Sequence, residues 1–260
     1  TVEEAFNLAL AHTGKPTEGD YLRLQYGGKS YSCGGSRDKG GYLLHYDMTI
    51  TYYTTSAQEA AVDAKVAELK RTLGLEGQAP YIQVKRIYDY ICNNIVYDYT
   101  NLRNNTYSLK FTAYAALING TAVCQGYAAL LYRLLLECSI DSRVINGTAN
   151  GGGHAWNIIK LGKLYYNADS TWDAESRNYA CFLKCPASFT GHVRDVEFNT
   201  AAFHAAYPMA SKDYDPNAAV YELSGWQWSA DYRSASAVFA NINNGESKTV
   251  QATITSRTTD

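Results

Sequence analysis

One apolar stretch, residues 127–136, limits the architecture of this chain more than any other part of its sequence. A single charged residue, Arg133, interrupts it. Ala128 and Leu131 recur at helical spacing, so the stretch predicts an amphipathic helix over residues 125–137. A membrane span needs about 20 mostly apolar residues, so no segment is predicted to cross a membrane. The helix is therefore expected to pack within a globular domain.

The composition is that of a globular protein. Of the 260 residues, 46% are hydrophobic and 18% are charged, and the formal net charge is −2. The chain lacks the low hydrophobicity of disordered proteins and the basic excess of nucleic-acid-binding proteins. A chain of this length buries about 75% of its unfolded surface, so it needs no disulfide staples. It begins at Thr1 without an initiator Met, and we expect that an export signal has been removed.

Hydrophobic periodicity and turn residues divide the chain into three predicted regions: 1–79, a catalytic core over 80–218, and a small β module over 219–260. Ser56 and Glu59 have the spacing of a capping box at the start of one helix. This pattern indicates an α+β fold, with helices packed on an antiparallel sheet. The predicted elements are helices over 1–14, 56–73, 80–94 and 125–137 and strands over 21–26, 45–54, 144–147, 154–160 and 163–169.

Cys124 lies where the helix over 125–137 begins, after Gly120 and a short turn. The positive end of a helix dipole stabilises an anion such as a thiolate. Gly126, one residue inside the helix, leaves room for a close approach. Most free cysteines are simply small buried apolar residues, so position alone does not identify a nucleophile.

His154 and Asp169 are predicted to face each other across a hairpin. If Leu161 and Gly162 form a two-residue loop, Lys160 faces Lys163, and the same register sets His154 opposite Asp169. A carboxylate there would fix the imidazole tautomer and stabilise its cation. In isolation such a pair is more often a surface ion pair. Together with Cys124, the pair completes an activated thiol nucleophile.

Three motifs resemble those of the transglutaminase-like family, a branch of the papain-like cysteine enzymes: AVCQGYA at 122–128, GHAWN at 153–157 and NADSTWD at 167–173. The resemblance covers residues 80–215 and includes RIYDYICNNIVYD, FTAYAALING and GHVRD. It implies a papain-like or transglutaminase-like core of the bacterial secreted type. It places the catalytic roles of that family on Cys124, His154 and Asp169.

The resemblance implies acyl transfer or hydrolysis at amide bonds through a thioester, on protein or peptidoglycan-peptide substrates. The oxyanion needs donors, of which the Cys124 backbone N–H is one. Tyr97, Tyr114 and Gln125 stay open as the second donor. The sequence has no upstream Trp like that of the animal transglutaminases. The alternative is a catalytically silent binding or scaffold module at the cell surface. The oligomeric state is open.

Two tryptophans and the remaining cysteines receive structural or pocket interpretations. Trp156 and Trp172, beside the His and Asp, are predicted to form pocket walls or to pack in the core. The five other cysteines are Cys33, Cys92, Cys138, Cys181 and Cys185. Cys92 and Cys138 fall on apolar helix faces and are predicted to lie in the core. A zinc site made of Cys181, Cys185 and His192 would match no common ligand spacing. No metal site and no cofactor is therefore predicted. If the protein is exported, a disulfide that involves Cys33 or the pair Cys181 and Cys185 is an alternative.

The C-terminal segment has a separate character. Residues 225–239 follow the pattern GWxWSxDYxSAxAxF, and residues 249–255 alternate in polarity. The pattern resembles repeats in large secreted proteins of Gram-positive gut bacteria, which implies a fragment of an extracellular or cell-surface protein. A spacer or assembly role is favoured over carbohydrate binding.

Overall fold

A computed structural model describes residues 1–230 and 234–253. The helices are α1 (Val2–Ala9), α2 (Asp20–Gln25), α3 (Ser56–Thr72), α4 (Pro80–Asn94), α5 (Cys124–Leu136), α6 (Ser170–Ser176) and α7 (Ala201–Ala206). The strands are β1 (Tyr26–Asp38), β2 (Gly41–Tyr52), β3 (Val96–Tyr97), β4 (Thr121–Ala122), β5 (Ser142–Ala149), β6 (Gly152–Leu161), β7 (Leu164–Ala168), β8 (His192–Arg194), β9 (Tyr221–Trp228), β10 (Ser234–Asn241) and β11 (Ser247–Thr253).

The fold is α+β, as predicted, and is organised around an antiparallel sheet of order β7-β6-β5-β8. Helix α5 packs on β5 and β6, and α4 and α6 pack on α5. On β6, Ala155 and Ile159 belong to the helix-side core, whereas Trp156 and Ile158 belong to a second apolar cluster. Because side chains alternate along a strand, the two clusters lie on opposite faces. Both faces of this sheet are therefore covered.

Helix α5 is the predicted central helix, and nearly all of it is buried. The Arg133 side chain, which is 4% exposed, places Nη2 2.8 Å from Asp63 Oδ1 and 3.0 Å from Glu137 Oε1. Its guanidinium also lies 5.4 Å from the Tyr21 ring centre. A buried charge is tolerated when it is paired in this way. The single charge in the apolar stretch therefore links α5 to α3. Among the described residues, no helix is both long enough and apolar enough to cross a bilayer.

The predicted strand over 21–26 is wrong, since five of those six residues lie in helix α2. Asp20, at the start of α2, accepts hydrogen bonds from Arg143 Nε at 2.7 Å and Nη2 at 3.0 Å. Tyr21 and Gln25, four residues apart, are both buried. The buried ion pair and helical burial spacing override the strand preference of tyrosine, which depends strongly on context.

The capping box of α3 lies one residue earlier than predicted. Thr55 Oγ1 accepts from Gln58 N at 3.3 Å, and Gln58 Oε1 accepts from Thr55 N at 2.8 Å. Thr55/Gln58 and Ser56/Glu59 both fit the capping-box pattern. The structure uses the first pair because Glu59 instead accepts a hydrogen bond from the Tyr21 hydroxyl at 2.8 Å.

The predicted hairpin register is also wrong. Leu161 pairs with Leu164, and Asn157 pairs with Ala168, so the loop is Gly162-Lys163. Gly162 has φ +65°, a conformation that hairpin turns require and glycine adopts without strain. Relative to the prediction, each β6 residue faces a position two further along β7. A shift of two preserves the sheet face, because side chains alternate with a period of two.

The C-terminal segment is all-β, as predicted, with strands in the order β11-β10-β9. The main-chain N–H of Tyr81 donates to Ile242 O at 3.1 Å, and Ile242 is buried in the helix-side core. The predicted pattern over 225–239 includes residues 231–233, and the alternation over 249–255 extends past 253, so parts of both lie outside the described residues. The predicted boundaries at 79 and 218 stay predictions.

Gly147 allows β8 to approach β5. A Cβ atom at this position would lie 2.0 Å from Val193 O and 2.9 Å from a ring carbon of Trp156. Gly147 pairs with His154 on one side and with Arg194 on the other. The absence of a side chain therefore brings β8, which carries His192, against the centre of the sheet.

We predict that Gly147→Ala lowers the free energy of unfolding by about 1–3 kcal/mol, because the added methyl group overpacks the contact with β8. Gly153→Ala, on the neighbouring strand, is the matched control, since a Cβ there meets nothing within 4 Å. We expect the control to change this free energy by less than about 0.5 kcal/mol. Urea unfolding measures both, and equal values for the two variants would refute the steric argument.

Candidate active site

Cys124 is the first residue of α5 and is half-buried. Val123 precedes it in an extended conformation and provides no side-chain cap. The first N–H groups of a helix have no partner within the helix, so this end is suited to hold negative charge. At Gly126, a Cβ would lie 2.7 Å from Ala122 Cβ and 2.9 Å from Thr112 O. The room that Gly126 was predicted to leave for a close approach is thus occupied by other parts of the same chain.

His154 and Asp169 form a hydrogen bond, with Nε2 2.8 Å from Oδ2, and their side chains are 8% and 1% exposed. Asp169 follows β7 directly and lies diagonal to His154, not opposite it. Diagonal neighbours on one sheet face are still within reach of long side chains. The predicted contact therefore forms in spite of the wrong register.

The N-terminus of α6 fixes the orientation of Asp169. Asp169 is its N-cap, and Oδ1 accepts hydrogen bonds from the backbone N–H of Thr171 at 2.9 Å and of Trp172 at 3.2 Å. Burial alone would raise the pKa of Asp169, but hydrogen bonds from His154 and His192 outweigh it and hold the pKa below its usual range. Asp169 is therefore a buried carboxylate that accepts hydrogen bonds through both oxygens.

His154 connects this carboxylate to Cys124. Burial acts to lower the pKa of His154, but hydrogen bonds to Asp169 and to the Cys124 thiol outweigh it and raise the pKa to about 10. Because Nε2 faces Asp169, the second ring nitrogen, Nδ1, is the one left for the sulfur. His154 is thus hydrogen-bonded to Asp169 and interacts electrostatically with Cys124.

His192 is a fourth member that the sequence analysis did not place here. Its Nε2 lies 3.0 Å from Asp169 Oδ2, the same oxygen that contacts His154, and its side chain is 1% exposed. Strand β8 brings it there by pairing with β5. The sequence signal for it is the stretch GHVRD at 191–195, which by itself indicates only a family resemblance and a candidate zinc ligand.

Of the candidates for the second oxyanion donor, Tyr97 is adjacent to Cys124. Burial raises the pKa of the Tyr97 phenol, negative charge on Cys124 raises it further, and hydrogen bonding to the Cys124 backbone acts in the opposite direction. The Gln125 amide points elsewhere and donates to Leu24 O at 2.8 Å. Tyr114 is partly buried and packs against the helix-side core.

The two tryptophans occupy different positions. Trp156 is 1% exposed and packs in the second apolar cluster, with its ring centre 6.3 Å from that of His154. Trp172 lies 5.7 Å from the His154 ring and lines an open cleft with Asn150 and Glu175. Trp172 therefore borders space that a ligand can reach, whereas Trp156 supports the imidazole from within the protein.

The other cysteines are free thiols outside this site. Burial raises the pKa of the Cys92, Cys138 and Cys181 thiols. Cys185 is buried, and Cys33 is exposed. Among the described residues, the acidic, thiol and imidazole groups close enough to converge on a metal ion are those of His154, Asp169 and His192, within 4.8 Å of one another. Their mutual hydrogen bonds already account for that spacing.

The match to known proteins covers this site. Residues 67–172 match the transglutaminase-like superfamily profile, and Cys124, His154 and Asp169 all lie within the match. These residues form a transglutaminase-like domain. The family is one of thiol-dependent enzymes. The presence of the Cys124 thiol at the start of α5 agrees with membership in such a family. His192 lies beyond the matched residues.

Individual relatives are distant. The kyphoscoliosis peptidase of Mus musculus is 26% identical over 129 residues, which are 45% of this chain and 19% of that protein. The chain thus spans about a fifth of the length of that relative. The crystal structure of a TGase has 18% identity and a TM-score of 0.40, covering 54% of this chain and 43% of that one. A candidate cysteine protease from Cytophaga hutchinsonii has 15% identity and a TM-score of 0.34, covering 90% and 81%.

We predict that the His154 imidazole stays protonated until the pH reaches about 10, because both of its partners stabilise the cation. Nitrogen-15 NMR of labelled histidine measures this titration. In Asp169→Asn and Cys124→Ala, the pKa of His154 should fall, and more in the first variant, since Asp169 is the stronger partner. Titration near 6.5 in the unmodified protein, the ordinary value, would contradict this prediction.

The same shift sets a pH dependence of stability. A folded-state pKa above the unfolded value contributes stability that is complete below about pH 6.5 and is lost as the pH rises through about 10.

Proposed function

We propose that this protein catalyses acyl transfer or hydrolysis at amide bonds, with Cys124 as nucleophile, His154 as base and Asp169 as the group that orients His154. The observation that carries the proposal is the hydrogen bond between His154 and the buried Asp169 carboxylate, with the half-buried Cys124 thiol close enough to His154 to raise its pKa. This is the arrangement that an activated thiol nucleophile requires.

The Cys124 sulfur, whose proton is held on His154 Nδ1, forms a bond to the amide carbonyl carbon in the first half of the reaction. The carbonyl oxygen becomes an oxyanion, and the Cys124 backbone N–H with the Tyr97 hydroxyl would donate to it. Collapse breaks the carbon–nitrogen bond, and the leaving amine or ammonia takes the proton from His154. A thioester remains on Cys124.

The second half resolves the thioester. Water or an amine attacks the thioester carbon and gives its proton to His154, and the carbon–sulfur bond breaks. The acid or new amide leaves, and the released Cys124 sulfur is again paired with protonated His154. Asp169 keeps its negative charge throughout and stabilises the His154 cation formed in each half.

Protein or cell-wall peptides are the proposed substrates, and the cell surface or exterior is the proposed location. The name of the mouse relative, a peptidase, supports chemistry at amides of peptide chains. The location rests on the resemblance of the C-terminal segment to repeats of secreted bacterial proteins.

Incubation with a glutamine-containing peptide and a small primary amine tests the reaction, with mass spectrometry and ammonia release as readouts. Incorporated amine identifies a transglutaminase, backbone cleavage a peptidase, and ammonia alone a deamidase. We predict that Cys124→Ala lowers the rate roughly 10⁴-fold or more, as loss of a nucleophile does elsewhere. Cys138→Ala, which alters a thiol just beyond the opposite end of α5, is the matched control.

Unchanged turnover by Cys124→Ala would exclude thiol catalysis. If the unmodified protein neither turns over substrate nor forms an adduct at Cys124, the alternative of a silent binding module is favoured.

We further predict that Tyr97→Phe lowers kcat roughly 10²-fold or more with little change in KM, because an oxyanion donor acts mainly in the transition state. Tyr99→Phe is the control, since its ring centre lies 4.8 Å from that of Tyr97 but its hydroxyl donates to Glu175. Steady-state kinetics of both variants decide the assignment. Equal losses in both would remove Tyr97 from the mechanism.

A further inference from the structure

We propose that His192 is a positioning residue, which holds the Asp169 carboxylate in the orientation that fixes the tautomer of His154. The inference rests on the proposed function, since it concerns the same site. It adds a residue that lies outside the matched family segment and outside the predicted triad.

The hydrogen bonds of Asp169 give the first argument. Oδ1 is held by two backbone N–H groups of α6, and Oδ2 lies 2.8 Å from His154 Nε2 and 3.0 Å from His192 Nε2. An ionised carboxylate only accepts, so each imidazole that bonds to it carries a proton on Nε2. After His154 gives a proton to the leaving amine, it is left with an unprotonated Nδ1, which is the form that can accept the proton of the attacking water or amine.

The surroundings of His192 give the second argument. Its ring stacks on Phe189 at 3.9 Å with an interplanar angle of 21°, and its centre lies 4.3 Å from that of Trp172. Its Nδ1 lies 3.1 Å from Thr190 O. When doubly protonated the ring donates to both acceptors, and with one proton it keeps the stronger bond, to the carboxylate.

Burial excludes a direct role in the chemistry. With its side chain 1% exposed, His192 is less accessible than His154. Its hydrogen bond to Asp169 is therefore the polar contact through which it reaches the triad. Without it, the second lone pair of Oδ2 loses its donor, and the carboxylate is held by α6 and His154 alone.

The other ionisable groups near Asp169 do not replace this donor. Electrostatic coupling to Asp169 reaches Tyr88 and Cys92 on α4, Asp173 on α6, and Cys181 in the following loop. The Tyr88 hydroxyl already donates to Asp173 Oδ2 at 2.7 Å, and the Cys92 thiol to Ser170 O at 3.6 Å. On α5, Cys124 interacts with His154. The two histidines are thus the side chains that stabilise the charge of Asp169.

A pair of substitutions separates this hydrogen bond from the packing of the ring. In His192→Gln the amide nitrogen can occupy the place of Nε2 and donate to Asp169. In His192→Asn it occupies the place of Nδ1 and reaches Thr190 O only. His192→Phe keeps the stacking on Phe189 and removes both donors. If His192→Asn or His192→Phe fails to fold, the other still compares absence of the donor with its presence in His192→Gln and in the unmodified protein.

The readout is the rate at which iodoacetamide alkylates Cys124 as a function of pH, in a Cys33→Ser background that removes the exposed thiol. The buried Asp169 carboxylate becomes easier to protonate when it loses the hydrogen bond from His192. We expect the acid limb of the profile to move up by about one pH unit in His192→Asn and His192→Phe, so that reactivity on that limb falls about tenfold. In His192→Gln the profile should stay within about 0.3 unit of the original.

Profiles of His192→Asn and His192→Phe that coincide with the original would overturn the positioning role. So would an equal shift in all three variants, since that reflects altered packing. If the unmodified protein instead alkylates only at alkaline pH, as an ordinary thiol does, the proposed function itself fails, and the positioning role with it. The two failures are therefore distinguishable in one experiment.

Discussion

The buried carboxylate of Asp169 is the interaction on which the site depends. One of its oxygens caps α6, and the other accepts from two imidazoles. A buried charge is costly unless its hydrogen bonds are complete, so the strands and the helix that supply these donors are constrained together. Removal of any donor affects both the local fold and the orientation of His154.

The sheet and α5 bring the thiol to this carboxylate. Helix α5 is buried along nearly its whole length, which fixes where its first residue, Cys124, lies relative to β6. On the other side, Gly147 lets β8 approach β5 closely enough for His192 to reach Asp169. The core and the site are thus set by the same contacts, and a packing change in β5 is expected to alter both.

Sequence periodicity and motif spacing predicted the α+β fold, the helix over 80–94 and the contact between His154 and Asp169. They did not predict the hairpin register. Gly162 could be the first or the second residue of a two-residue loop, and in the structure it is the first, with a positive φ. The helix at Asp20 depends on Arg143, more than a hundred residues away, and local patterns do not carry such pairings. The contact of His192 with Asp169 depends on the pairing of β8 with β5, which local patterns do not carry either.

The central proposal is that Cys124 acts as a nucleophile and that His154 and Asp169 activate it. Its most direct test is intact-protein mass spectrometry after rapid mixing with a glutamine-containing peptide, followed by mapping of the adduct. We predict a transient mass increase on Cys124 that is greatly reduced in Asp169→Asn. It equals the peptide less ammonia for attack at the glutamine side chain, or the N-terminal acyl fragment for attack at the backbone. An adduct on another residue, or product formation without any adduct at Cys124, would contradict the account.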